Sequence, residues 1–139
     1  MTNSAVAEAK QVISNIMTDA VNNTQDVRVI TEMEVGQLVR QGDIYVERVA
    51  DIPSEFSEKT AQRQLARGTT KGSRHIAQGD ITVMLKSSPE PLDGPAIVAP
   101  NGFYIEHPEH AHFDIKVPGN YVVTYQQDFA AEELRAVKD

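Results

Sequence analysis

Four histidines, His75, His107, His110 and His112, offer this chain most of its chemistry. Three of them sit together in His107-Pro108-Glu109-His110-Ala111-His112. His110 and His112 belong to an alternating run in which Ala111, Phe113, Ile115 and Val117 interleave with His110, His112, Asp114 and Lys116. On a strand, side chains two residues apart leave the same face at a separation of about 7 Å. Two imidazoles carried by one rigid element in that way can act as cis metal ligands. His75, His107, Glu106 or Glu109 would complete a three-ligand site with an open position for water, suited to zinc, iron, manganese or nickel. Glu109 would then be a ligand or a general base. The blander reading of the same residues is an acidic, histidine-rich patch used in subunit contacts, or imidazoles that are simply satisfied within the fold.

Other chemistries find little support. The chain has no cysteine, which removes disulfides, thiolate catalysis and thiolate zinc sites. It holds no phosphate-cradling Gly-x-x-x-x-Gly-Lys-Ser/Thr loop, no dinucleotide glycine motif and no Gly-x-Ser-x-Gly elbow. With 6% aromatic residues and no strand face mixing aromatic and basic side chains, it is ill-suited to stacking oligonucleotides.

The element that must position the histidines is a strand pair. After the alternating run comes the turn Pro118-Gly119-Asn120, and then Tyr121, Val123 and Tyr125 alternate with Val122, Thr124 and Gln126. A three-residue loop would pair Val117 with Tyr121, Ile115 with Val123 and Phe113 with Tyr125. That register collects the large apolar groups on one face, and leaves His110, His112, Asp114, Thr124, Gln126 and Asp128 on the other.

Upstream, residues 4–22 carry apolar side chains at three- and four-residue spacing, which predicts an amphipathic helix capped by Ser4. It could pack on its own domain or dock on a neighbouring subunit. Two strands are expected over 27–49, the first from Val27, Val29 and Ile30, the second from Leu38-Val39 and then Ile44, Val46 and Val49. Gln41-Gly42-Asp43-Ile44 returns as Gln78-Gly79-Asp80-Ile81, a turn-to-strand unit hinting at pseudo-symmetric halves. Its meaning reads as structural first, with recognition by Asp43 or Asp80 as the other use. Residues 51–74 look least sheet-like. A short helix from Ser54 or Ser57 to Ala66 would align Lys59, Arg63 and Arg67 as a basic stripe. Ser73–Leu85 returns to strand, 86–95 is loop, Asn101-Gly102 predicts a hairpin turn, and 130–139 a brief terminal helix.

Composition, at 40% hydrophobic and 24% charged, is that of a single globular domain. The net charge of −7 argues against general nucleic-acid binding. Lys59, Arg63, Arg67, Lys71 and Arg74, however, give the segment 55–74 a charge of +3. It is the one region suited to a phosphate, acidic-subunit or nucleic-acid contact. No apolar run approaches the roughly 18 residues of a membrane span, and the N-terminus has no secretory pattern. The expected location is therefore the cytoplasm of a bacterial host, or a virion.

Two resemblances add to this reading. The His-x-His on a strand resembles the first cupin motif, although Gly102 stands too far upstream and Lys116 and Val117 occupy the positions of its glutamate. The order of elements over residues 36–135 also resembles an uncharacterised family of small bacterial and phage-encoded proteins. The matching elements are Gln41-Gly42-Asp43, Ser73-Arg74-His75, His107-Pro108-Glu109-His110-Ala111, Pro118-Gly119-Asn120-Tyr121 and Gln126-Gln127-Asp128-Phe129. That resemblance implies His75, His107, Glu109 and His110 as matched positions and supplies no reaction. Ser73 departs from it, standing where other members carry a first histidine.

These readings combine into an expectation of a mainly β protein: an antiparallel β-sandwich or barrel with an N-terminal amphipathic helix and a short C-terminal helix. Residues 1–25 form the helix and 26–139 one β-domain with a basic excursion at 51–74. The favoured function is non-enzymatic, a structural or interaction protein forming a homo-oligomer or larger assembly, in concrete form a phage capsid accessory or decoration protein. The alternative is a metal-dependent enzyme, or a metal or small-ligand binding module, using His75, His107, Glu109, His110 and His112. No cofactor is assumed in the first reading, and a divalent metal is the cofactor of the second.

Overall fold

The computed structural model describes residues 26–68 and 70–126. The helices expected at 4–22 and 130–139 lie outside the described residues. Ten strands follow in chain order: β1 Val27–Ile30, β2 Leu38–Gln41, β3 Ile44–Val49, β4 Phe56–Thr60, β5 Ile76–Gln78, β6 Thr82–Lys86, β7 Asp93–Ala99, β8 Phe103–Glu106, β9 His112–Ile115 and β10 Gly119–Tyr125. They form a four-stranded sheet in the order β1-β9-β8-β5 and a six-stranded sheet in the order β2-β3-β10-β7-β6-β4. Neither sheet closes into a barrel. All pairs are antiparallel except β1 and β9, which run parallel.

Both sheets turn one face to a shared apolar core. Ile44, Val46, Ile97, Tyr121 and Val123 enter it from the six-stranded sheet, and Ala77, Ile105, Phe113 and Ile115 from the four-stranded one. Burial of such side chains, at roughly 25 cal/mol per Å² of apolar surface, drives the two layers together.

The inward face expected for residues 113–125 is the observed one, since Phe113, Ile115, Val117, Tyr121, Val123 and Tyr125 are all buried. Their pairing is different. β9 bonds to β1 and β8, whereas β10 bonds to β3 and β7 in the other sheet. Residues 116–118 form a corner between layers, fastened by the Tyr121 hydroxyl donating to the Val117 carbonyl. Period-two alternation states which side chains go inward; it does not state whether two consecutive strands lie beside or across from each other. Asn101-Gly102 is likewise a crossover from β7 to β8 in the opposite sheet and not a hairpin turn.

The helix expected between Ser54 and Ala66 is absent. Phe56–Thr60 is the edge strand β4 on β6, and the next residues run extended past β5 to a short 3-10 turn at Lys71–Ser73. Helix propensity in Glu58–Ala66 yields to the burial of Leu65 and Ala66 in the shared core and of Phe56 outside that cluster. The basic stripe goes with it. Arg63 donates to the Gly79 carbonyl at 3.2 Å, while Arg67 reaches the Pro91 carbonyl at 2.8 Å and lies over the Tyr125 ring.

Candidate functional site

The chain turns from β2 into β3 through Gly42 and Asp43, and Gly42 takes a φ of 58°. This two-residue turn needs a left-handed backbone, which glycine adopts without steric cost. Behind it, Gln41 ends β2 pointing inward and is 2% exposed. Its Nε2 donates to the carbonyls of Ile105 at 3.1 Å and Ala111 at 2.8 Å, tying β2 to the four-stranded sheet. With both amide hydrogens committed, Oε1 is the acceptor for His75 Nδ1 at 2.8 Å.

His75 is fully buried just ahead of β5. Its other nitrogen, Nε2, stands 2.9 Å from Asp43 Oδ1, whose side chain is 24% exposed. Burial pushes the His75 imidazole down to about 4, and the neighbouring His107 and His110 rings add to that, against the upward pull of Asp43.

His107 lies against His75 with ring centroids 4.4 Å apart, and His110 lies against His107 at 4.6 Å. The three rings thus form a short stack from the core to the surface, His75 and His107 buried and His110 exposed. His107 is held at both nitrogens. Nδ1 accepts the backbone N–H groups of Glu109 at 3.0 Å and His110 at 3.2 Å, so Nε2 carries the hydrogen and donates to the Gly72 carbonyl at 3.1 Å. The Pro108–His110 bend is built around that imidazole. A Cβ added at Gly42 would stand 2.8 and 2.9 Å from His110 Cδ2 and Nε2, and 3.3 Å from His75 Cε1. The turn therefore closes over the stack where only a hydrogen fits.

His112 does not join His110. The strand begins at His112, so His110 occupies the preceding bend and turns into the stack, while His112 Nδ1 meets the Tyr104 hydroxyl at 2.9 Å on the outer face. The cis pair expected from His-x-His is therefore not formed. Burial also lowers the His112 pKa and raises that of Tyr104 to about 12. A shallow cleft of about 300 Å³ beside them is lined by Arg74, Ile76, Glu106, His107, Pro108 and His112. Glu109 is exposed on the bend. Lys59, Arg67, Lys71 and Arg74 are exposed as well, distributed over the strand, the extended segment and the 3-10 turn.

Of the residues singled out from sequence, the fold brings together His75, His107 and His110, and sets His112 and the basic residues apart. The sequence reading gave Asp43 only a secondary recognition role and read Gln41 and Gly42 as turn chemistry, without a part in the site. Their signal was the Gln-Gly-Asp repeat, but nothing local distinguishes the copy that meets a histidine. Among the described residues, no three histidine, aspartate or glutamate side chains stand as a ready-made metal cage. No helix among them is long and apolar enough to cross a membrane.

A family model described as a domain of unknown function (DUF8820) matches residues 40–126. It covers more than half of the chain, and the chain belongs to that family. No curated protein and no solved structure matches the chain. The matched range holds Gln41, Asp43 and all four histidines, and leaves out β1.

Proposed function

We propose that this member of the family is a structural and interaction protein that assembles with copies of itself through two sheet edges, β1 and β2. The observation that carries this reading is a difference among the four edge strands. β4 is blunted by Glu58 and Lys59 and carries a register shift between Phe56 and Glu58. β5 is covered by the segment 63–65, with Leu65 N–H bonded to the His75 carbonyl and Ala77 N–H to that of Arg63, both at 2.8 Å. Charges, bulges and cover are the usual ways to protect an edge.

β1 and β2 carry one exposed arginine each, Arg28 and Arg40, but among the described residues neither has a register shift or a covering segment. Among the described residues each pairs on one side only, β1 with β9 and β2 with β3. Val27, Val29 and Leu38 are 48%, 54% and 56% exposed, and Val35 in the connecting loop is 55% exposed. Open backbone donors and acceptors beside large apolar groups suit strand addition by a second copy. In its most concrete form the reading is an accessory or decoration subunit on a capsid. Motif resemblance to phage-encoded proteins and the exposed Lys59, Arg67, Lys71 and Arg74 on an acidic body motivate that form.

Sedimentation of the full chain tests the assembly. The wild type is expected to form a discrete oligomer at micromolar concentration, and the triple variant Val27→Lys/Val29→Lys/Leu38→Lys a folded monomer. A monomeric wild type, or an oligomer indifferent to the three lysines, would overturn the reading. So would slow amide exchange of β1 and β2 in a monomer, which would mean that the chain's own termini cover these edges.

A further inference from the structure

We propose that a slot at the β4 end of the sandwich, between the six-stranded sheet and residues 62–68, binds a small monocarboxylate with an apolar tail, its carboxylate on Arg67. This end of the sheet is opposite the β2 edge, so occupancy of the slot is independent of assembly.

The slot follows from a mismatch in width. The six-stranded sheet ends in β7, β6 and β4, and the four-stranded sheet has two strands fewer to lay over it. On β6, Val83 and Leu85 alternate with Thr82, Met84 and Lys86 and so share one face. Val83, paired with Ile97, is buried, but Leu85 on the same face is 38% exposed. The segment after β4 covers this face incompletely. A cavity of about 320 Å³ lies between Val83, Leu85, Pro95 and Tyr125 of the sheet and Leu65 and Arg67 of the segment. A second, of about 240 Å³, shares Arg67, Leu85, Pro95 and Tyr125 and runs on to Pro89 and Asp93. The result is one elongated slot with two lobes. Its roof is fixed in place: the Tyr125 hydroxyl donates to the Leu65 carbonyl at 3.1 Å, and the Gln64 side-chain amide to the carbonyls of Ala66 at 2.8 Å and Gly68 at 2.9 Å. A pre-formed, mainly apolar slot with a few polar groups is the ordinary form of a small-molecule site.

Arg67 sets the charge of the ligand. It lines both lobes, with its guanidinium 5.4 Å from the centre of the Tyr125 ring and one amino group donating to the Pro91 carbonyl at 2.8 Å. A guanidinium has five N–H donors, so most remain to be used. Among the described residues no carboxylate forms an ion pair with it. Asp93 of the second lobe is engaged instead with Lys86 at 3.1 Å and with the Glu90 N–H at 2.8 Å. The planar fork of an arginine matches a carboxylate through two parallel N–H bonds. A diphosphate would call for more cations than this one. Val83, Leu85 and Pro95 then offer an apolar floor along the slot, and an unbranched tail of about eight to ten carbons suits lobes of this volume.

NMR titration of the isotopically labelled full chain with sodium decanoate, at neutral pH and below its micelle concentration, tests the slot. One equivalent is expected to bind saturably, shifting the amides of Val83, Leu85 and Tyr125. Decanol on the wild type, and decanoate on Arg67→Gln, should each bind about tenfold more weakly. Lys59→Gln removes the same charge from the opposite face of β4, since Thr60 is the residue that lines the slot, and should leave the affinity unchanged. Arg67 and Lys59 are exposed, so folding is expected to survive and is checked by circular dichroism. No saturable binding by the wild type would overturn the proposal. Decanol binding as tightly as decanoate would overturn it too, because Arg67 would then take no part. So would shifts confined to β1 and β2, which would place the amphiphile on the exposed valines of the sheet edges.

Discussion

Gln-Gly-Asp-Ile occurs twice, at 41–44 and 78–81, and the fold uses the two copies differently. In both, glutamine ends a strand and glycine takes a positive φ, 58° at Gly42 and 124° at Gly79. The first copy is a hairpin within one sheet; the second carries the chain from β5 in the four-stranded sheet to β6 in the other. Gln41 is buried and makes three bonds across the layers, whereas Gln78 is exposed. Asp43 meets a buried histidine, and Asp80 faces outward. The tetrapeptide dictates the local turn, and the neighbours brought by the topology decide whether that turn has chemistry.

Matched substitutions at the two copies sharpen this contrast. The largest gap is expected between Gln41→Leu and Gln78→Leu. The first strands two carbonyls and a buried imidazole N–H, at roughly 1–3 kcal/mol for each buried unsatisfied group, so a total of about 3 kcal/mol is expected in urea denaturation. The second should stay within about 0.5 kcal/mol.

Acid probes the same difference. His75 titrates near 6.5 when unfolded and near 4 when folded, so the unfolded chain binds the proton first. Its contribution is therefore complete above about pH 6.5 and lost as pH falls towards 4, by at most roughly 3 kcal/mol. Half-buried His112, also lowered, adds in the same direction. Urea midpoints at pH 7 and 4.5 should converge in a folded His75→Gln variant, and remain apart in Asp80→Asn.

Gly42→Ala comes next, at about 1–2 kcal/mol, because a left-handed backbone and contact with His75 and His110 act together. Gly79→Ala retains only the backbone part, since its nearest neighbours are 3.7 Å away. The smallest effect is expected from Asp43→Asn. The new amide keeps a polar partner for His75 Nε2, so a change within about 1 kcal/mol at neutral pH is expected, against none in Asp80→Asn.

The inward face of residues 113–125 was legible because alternation reports burial directly. Strand pairing was not, because Ile115 and Val123 meet the core equally well as neighbours in a sheet or from opposite layers. Glu58–Ala66 was misread as helix since its local propensity is helical, while the burial of Phe56 and Leu65 that overrides it depends on distant strands. His75, His107 and His110 were legible as chemically interesting. Their partner Asp43 was not, because 32 residues of chain separate it from His75 and only the topology joins them.

The most direct measurement is the pair of imidazole nitrogen shifts of His75, by NMR of labelled, chelator-treated protein at neutral pH. The account predicts a protonated Nδ1, because Gln41 Oε1, with both amide hydrogens committed to carbonyls, can only accept. A lone pair at Nδ1 would contradict it, since the buried Gln41 amide would then not hold the imidazole as described.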